Sequence, residues 1–133
     1  KEKVEKLGLK PLARIVSYAD AEQAPEWFTN TPSIALPKAV KKAGLALDQI
    51  DYFELNEAFA SQVIASMRAL GIDRSIVNPN GGSIAIGHPL GASGTRISAT
   101  LLHQMNRNKS LKYGLATMCI GVGQGYATII ERA

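Results

Sequence analysis

The 133 residues carry 15 Lys and Arg against 11 Asp and Glu, a net charge of +4, with 46% hydrophobic residues, the make-up of one compact soluble domain with an ordinary core. No apolar run approaches the ~18 residues of a membrane span, and the opening Lys1-Glu2-Lys3-Val4-Glu5-Lys6 does not read as a signal peptide, so none is expected. The basic residues are not interleaved with aromatics in the manner nucleic acid demands, and the single cysteine, Cys119, excludes an intrachain disulfide and fits a reducing, cytoplasmic setting.

Val4, Leu7 and Gly8 read as the end of a helix with a glycine stop, so residues 1–9 are expected to close an element that begins elsewhere in a longer protein. Leu12 to Tyr18 alternates loosely and holds β-branched residues, which predicts a strand. Thr31-Pro32 reads as N-cap and first helical residue, and Leu36, Val40 and Ala43 give that helix a buried stripe. Pro37 removes one backbone hydrogen bond, so the regular helix is expected to begin only there; Gly44 ends it. Lys38, Lys41 and Lys42 are the densest basic cluster, either a solvated helix face or a weak phosphate-attracting patch. Asp51 to Leu55 is a short strand. Asn56 then caps a helix whose face is Phe59, Val63, Met67 and Leu70, with Gly71 as its stop. Ser75 to Asn78 is a third strand, and Pro89 to about Asn106 a helix with slim first turns at Gly91, Ala92, Ser93 and Gly94. Lys112–Met118 and Tyr126–Glu131 are the last two strands, a hairpin. The order βαβαβαββ implies an α/β domain over residues 1–133: a mixed, mostly parallel five-stranded sheet with helices on both faces.

Eight of the twelve glycines fall between Gly81 and Gly94 or between Gly121 and Gly125. Both segments follow strands, where open α/β sheets place their sites, and each holds or adjoins a reactive side chain, His88 or Cys119. Gly121-Val122-Gly123-Gln124-Gly125 does not fit a dinucleotide fingerprint, because a strand rather than a helix follows it. His88, His103 and Cys119 lack metal-ligand spacing, so no metal is expected. Taken singly, His88 reads equally as a packed histidine or a base, Cys119 as a small buried hydrophobe, and Asn56 as an N-cap.

Together the segments point further. Asn56-Glu57-Ala58-Phe59-Ala60 resembles the NEAF box of the thiolases. The run Gly81 to Gly94, with Gly87-His88-Pro89 at its centre, resembles their GGxxAxGHPxGxSG box, and Cys119 to Gly125 resembles their CxGxGxG box. The resemblance extends over Lys10 to Ile15 and nearly the whole chain. It implies one of two similar halves of an acyltransferase that joins or cleaves CoA thioesters through an acyl-enzyme, with no cofactor beyond the CoA substrates. The nucleophilic cysteine belongs to an amino-terminal half outside these residues. By resemblance His88 activates that cysteine, helped by the positive end of the Pro89 helix, which keeps the imidazole neutral. Cys119 is the acid/base at the substrate's α-carbon. The Gly121 amide serves one oxyanion hole, and Asn56 holds a water for the other. Ala58 and Phe59 wall the substrate channel.

The resemblance further implies a homodimer or homotetramer, and a fragment inactive alone. Acetyl-CoA acetyltransferase is the nearer type, with a longer-chain 3-ketoacyl-CoA thiolase as the alternative. A non-catalytic module would not need Asn56, His88 and Cys119 together, and the ketosynthase group carries other residues in place of the terminal cysteine.

Overall fold

The computed structural model describes residues 1–133. A short helix α1 (Glu2–Lys6) ends in Gly8, whose φ of 59° is the left-handed stop expected there. Strand β1 (Ala13–Glu22), helix α2 (Pro32–Lys42), strand β2 (Tyr52–Leu55) and helix α3 (Ala60–Leu70) follow. After them come the single turn α4 (Ser83–Ile86), helix α5 (Ser93–Arg107), and strands β3 (Tyr113–Ile120) and β4 (Gln124–Arg132).

The sheet has four strands in the order β1-β4-β3-β2. Only β2 and β3 run parallel; β4 is antiparallel to both of its neighbours. The expected five-stranded, mostly parallel sheet is therefore corrected to a four-stranded mixed one. The missing strand is Ser75–Asn78, reduced to an isolated parallel bridge between Phe53 and Val77. A 3-10 turn over Arg74–Ile76 delivers the chain to the sheet edge, and Asn78, with φ 43° ahead of Pro79, turns it away after one residue.

Three boundaries also shift. Helix α2 starts at Pro32 and runs straight through Pro37. Thr31 holds the N-cap position and Pro32 the first helical one, as expected, but the Thr31 side chain makes no capping bond: its backbone is already helical, and its hydroxyl donates to the Gly123 carbonyl at 3.0 Å. Asn56 caps nothing, since Phe59 holds the N-cap position of α3 with no side-chain bond. Helix α5 begins at Ser93 rather than Pro89, which leaves His88 in the link between α4 and α5, next to Gly87 with φ 92°.

The strand alternation divides the core in two. Phe53, Leu55, Leu115, Ala127 and Ile129 share one cluster with Ala35, Leu36, Ala39 and Val40 of α2 and Val63 of α3. Tyr52, Ala116 and Ile130 face α5, meeting Ile97, Leu101 and Met105. Gly114 lets α5 come close: a Cβ there would stand 2.6 Å from a Leu101 methyl and 2.7 Å from the Met105 sulfur. This packing anchors the helix that carries Ser93 and Arg96 against the sheet that carries Asn56 and Cys119.

Candidate active site

Asn56 stands just past the carboxyl end of β2, where its backbone N–H extends the parallel ladder to the Thr117 carbonyl at 2.9 Å. Its neighbour Leu55 has no strand on the outer side. The Asn78 side chain supplies the missing partner, accepting from the Leu55 N–H at 2.9 Å and donating to its carbonyl at 2.7 Å. Asn78 donates also to Glu57 at 3.0 Å, and the other Glu57 oxygen accepts from the Ile84 N–H at 3.1 Å. Glu57 thereby pins the glycine-rich loop to β2. Its carboxylate occupies the space over Gly82, where a Cβ would lie 2.5 Å away.

The loop so held presents His88. The imidazole Nε2 is 3.2 Å from the Asn56 side-chain nitrogen, and Nδ1 is 2.6 Å from the Ser93 hydroxyl, which donates to the Pro89 carbonyl at 2.9 Å. Asn56 is 1% exposed, and its side-chain oxygen accepts from Ser83 at 2.7 Å and from Arg96 at 3.0 Å. Behind this network Glu54 is fully buried and accepts from the Tyr52 hydroxyl at 3.2 Å. Burial pushes its carboxyl up to about 7, against smaller opposing pulls from Tyr52 and the Arg96 charge.

Cys119 is reached from the other side. It lies next to last in β3, paired with Gly125 across the hairpin, and is 6% exposed. Burial raises its thiol above the ordinary value, opposed by a backbone hydrogen bond, so the group favours the protonated form. The glycines that follow differ in purpose. Gly123 has φ 85°, and a Cβ there would meet the Gln23 carbonyl oxygen at 2.0 Å; Gly125 lies less tightly on the Thr31 backbone, where a Cβ would stand 2.8 Å from the carbonyl carbon. Gly121 meets nothing within 4 Å and needs no left-handed backbone.

His88, Cys119, Gly121, Ala58 and Phe59 line one cleft of about 330 Å³, together with Phe28, Leu90, Met118 and Ile120. Asn56, the remaining residue singled out from the sequence, is not among the residues lining the cleft, but its side-chain nitrogen lies 3.2 Å from His88 Nε2. Phe59 is 52% exposed rather than part of the core stripe, and its ring meets Phe28 edge to face at 6.4 Å. His103, exposed on α5, stands outside the cleft. A larger hollow of about 620 Å³, beside Leu47, Phe53 and Leu70, offers no base beyond Asp48 and Asp73. Ser83, Ser93, Arg96, Glu57 and Phe28 went unassigned in the sequence. The only signal for the first three was their place within or just beyond the glycine-rich box, with Ser93 and Arg96 one helical turn apart.

Residues 9–132 match the family described as Thiolase, C-terminal domain. The chain belongs to the thiolase family, as its C-terminal domain. Over 95% of its length it is 53% identical to a probable acetyl-CoA acetyltransferase of Dictyostelium discoideum and 53% identical to a 3-ketoacyl-CoA thiolase of Klebsiella pneumoniae, covering 30% and 33% of those proteins. The crystal structure of human mitochondrial 3-ketoacyl-CoA thiolase superposes with a TM-score of 0.96 at 47% identity, over 100% of this chain and 33% of that one. This thiolase domain thus spans about a third of the length of the curated relatives it matches. No helix in it is long and apolar enough to cross a membrane.

Proposed function

We propose that this thiolase domain supplies the acid–base machinery for acyl transfer between CoA thioesters, completed by an amino-terminal half that brings the nucleophilic cysteine. The observation that carries this reading is the convergence of His88, Cys119 and Gly121 on one cleft, with Asn56 bonded to His88. In thiolysis the partner cysteine, deprotonated by His88, attacks the 3-keto carbon of the substrate. The tetrahedral oxyanion is held by the Gly121 amide. The bond between the α- and β-carbons breaks, and the electron pair left on the α-carbon takes the Cys119 proton, releasing acetyl-CoA. A thiol whose pKa burial has raised suits that donation. During that cleavage the water held by Asn56 and the Nε2–H that His88 gained from the cysteine hold the thioester oxygen of the departing acetyl-CoA. CoA then gives its thiol proton to the Cys119 thiolate and takes the acyl group, and the freed partner cysteine recovers its proton from His88. Condensation is the reverse.

Exposed apolar side chains surround this chemistry: Leu90 is 99% exposed, and Ile84 and Ile86 of α4 and Val122 of the β3–β4 turn are exposed as well. A patch of this kind marks a surface made to be covered, and the amino-terminal half is its proposed cover. Relatives named for acetyl and for longer acyl groups are equally similar. The short-chain reading, with two acetyl-CoA giving acetoacetyl-CoA, rests on Phe28 and Phe59 narrowing the cleft. No resident cofactor takes part, the whole protein is a homodimer or homotetramer, and it works in the cytoplasm, as does the relative named cytosolic in Gibberella zeae.

Acetoacetyl-CoA cleavage, followed by the loss of its enolate absorbance on adding CoA, tests the reading. This chain alone is expected to give no turnover, and the chain joined to a thiolase amino-terminal half is expected to turn over and to lose activity on His88→Ala. Robust turnover by the chain alone would sink the division of labour.

A further inference from the structure

We propose that Arg96 is a positioning residue: it sets the direction of the hydrogen-bond chain through Asn56 and thereby leaves the lone pair of His88 on Nε2. The proposal deepens the reading of His88 as a base, and rests on it for its catalytic consequence.

A guanidinium has donors and no acceptor. The Asn56 atom 3.0 Å from Arg96 Nη2 must therefore be the amide oxygen. Ser83 reinforces this, accepting from Arg96 at 2.7 Å and donating to the same oxygen at 2.7 Å. The Asn56 NH₂ is thus turned to His88, 3.2 Å from Nε2. An amide NH₂ cannot accept, so Nε2 accepts and carries no proton. Nδ1 then holds the proton and donates to Ser93 Oγ at 2.6 Å. That hydroxyl is free to accept because its own proton goes to the Pro89 carbonyl at 2.9 Å. The chain runs from a donor-only group to an acceptor-only group, and no link in it is ambiguous.

Arg96 is placed for this task. It lies one turn after Ser93 on α5, so one helix face holds the last side chain of the relay and the group that polarises its start. Arg96 forms no ion pair, and its Nε is buried without a partner, so contact with Asn56 and Ser83, not a salt bridge, is what its head group achieves.

Long-range proton–nitrogen spectra of the histidine side chains in the full 133-residue chain read the tautomer directly, with His103→Gln assigning the two signals. His88 is expected to carry its proton on Nδ1. Arg96→Met frees the Asn56 amide to turn and is expected to bring in the Nε2–H form, while Arg96→Lys, which keeps a donor, restores the original. A wild-type His88 protonated on Nε2, or a folded Arg96→Met variant with the tautomer unchanged, overturns the proposal. Should Arg96→Met fail to fold, Ser93→Ala decides: with Arg96 intact the proton is expected to stay on Nδ1, and a switch to Nε2 would place control at the Ser93 end instead. In the joined protein Arg96→Met is expected to lower kcat on the order of tenfold with KM little changed. A switched tautomer without that loss would uphold the positioning role and remove His88 as the base.

Discussion

The two halves of the cleft are built on different physics. His88 is held by side chains: Glu57 ties its loop to β2, and Asn56, Ser83, Ser93 and Arg96 orient the imidazole through hydrogen bonds. Cys119 is held by backbone: a strand end, a hairpin, and glycines pressed against Gln23 and Thr31. The histidine side is set by orientation, the cysteine side by position and desolvation. Polar substitutions should therefore disturb the histidine side and leave the fold standing, whereas added carbon atoms should break the cysteine side.

The sharpest break is expected at Gly123→Ala. The new methyl group would overlap the Gln23 carbonyl and meet a left-handed φ of 85°. A loss of about 4 kcal/mol is expected in denaturant titration. A loss under about 1 kcal/mol would show that the hairpin yields and that Cys119 is not placed by steric constraint.

Next in size is a pH effect from Glu54. Its folded carboxyl titrates at about 7 against an unfolded value of 4.5. Below pH 4.5 both states hold the proton and nothing is lost. Between 4.5 and 7 the unfolded chain releases its proton first, so stability falls by about 3 kcal/mol and then levels off. Glu54→Gln should flatten that slope; an unchanged slope would remove burial as the source of the shift.

The smallest effect on stability, and the most informative about purpose, is expected at Gly121→Ala. Space is open around that Cα, so unfolding free energy should stay within about 0.5 kcal/mol, while turnover in the joined protein should fall because the methyl group enters the cleft. Equal losses of stability and activity would make Gly121 another structural glycine.

Sequence patterns exposed the parts of this molecule governed by local rules. Loose alternation in Leu12–Tyr18, the short strand read at Asp51–Leu55, and the three- and four-residue spacing of Val63, Met67 and Leu70 located β1, β2 and α3. The third strand failed because Ser75–Asn78 has strand-forming residues, yet its pairing is decided by where Asn78 and Pro79 bend the chain. Asn56 failed as a cap because tertiary partners claim its amide: Arg96 and His88 lie 40 and 32 residues away in sequence. The three boxes brought His88, Cys119 and Gly121 to notice, but not what orients them, since a serine or arginine inside a helix carries no local mark of a buried task. The helix terminus expected to tune His88 lies five residues further on, at Ser93, and reaches the ring through that hydroxyl.

The proposed division between a base oriented for sulfur and an acid–base placed at carbon is tested most directly by solvent deuterium entering the methyl group of acetyl-CoA, followed by mass spectrometry in the joined protein. Cys119→Ala should abolish the exchange while the acyl-enzyme still forms from acetyl-CoA, if Cys119 alone serves the α-carbon as proposed. Exchange that persists at the wild-type rate without Cys119 would contradict that assignment.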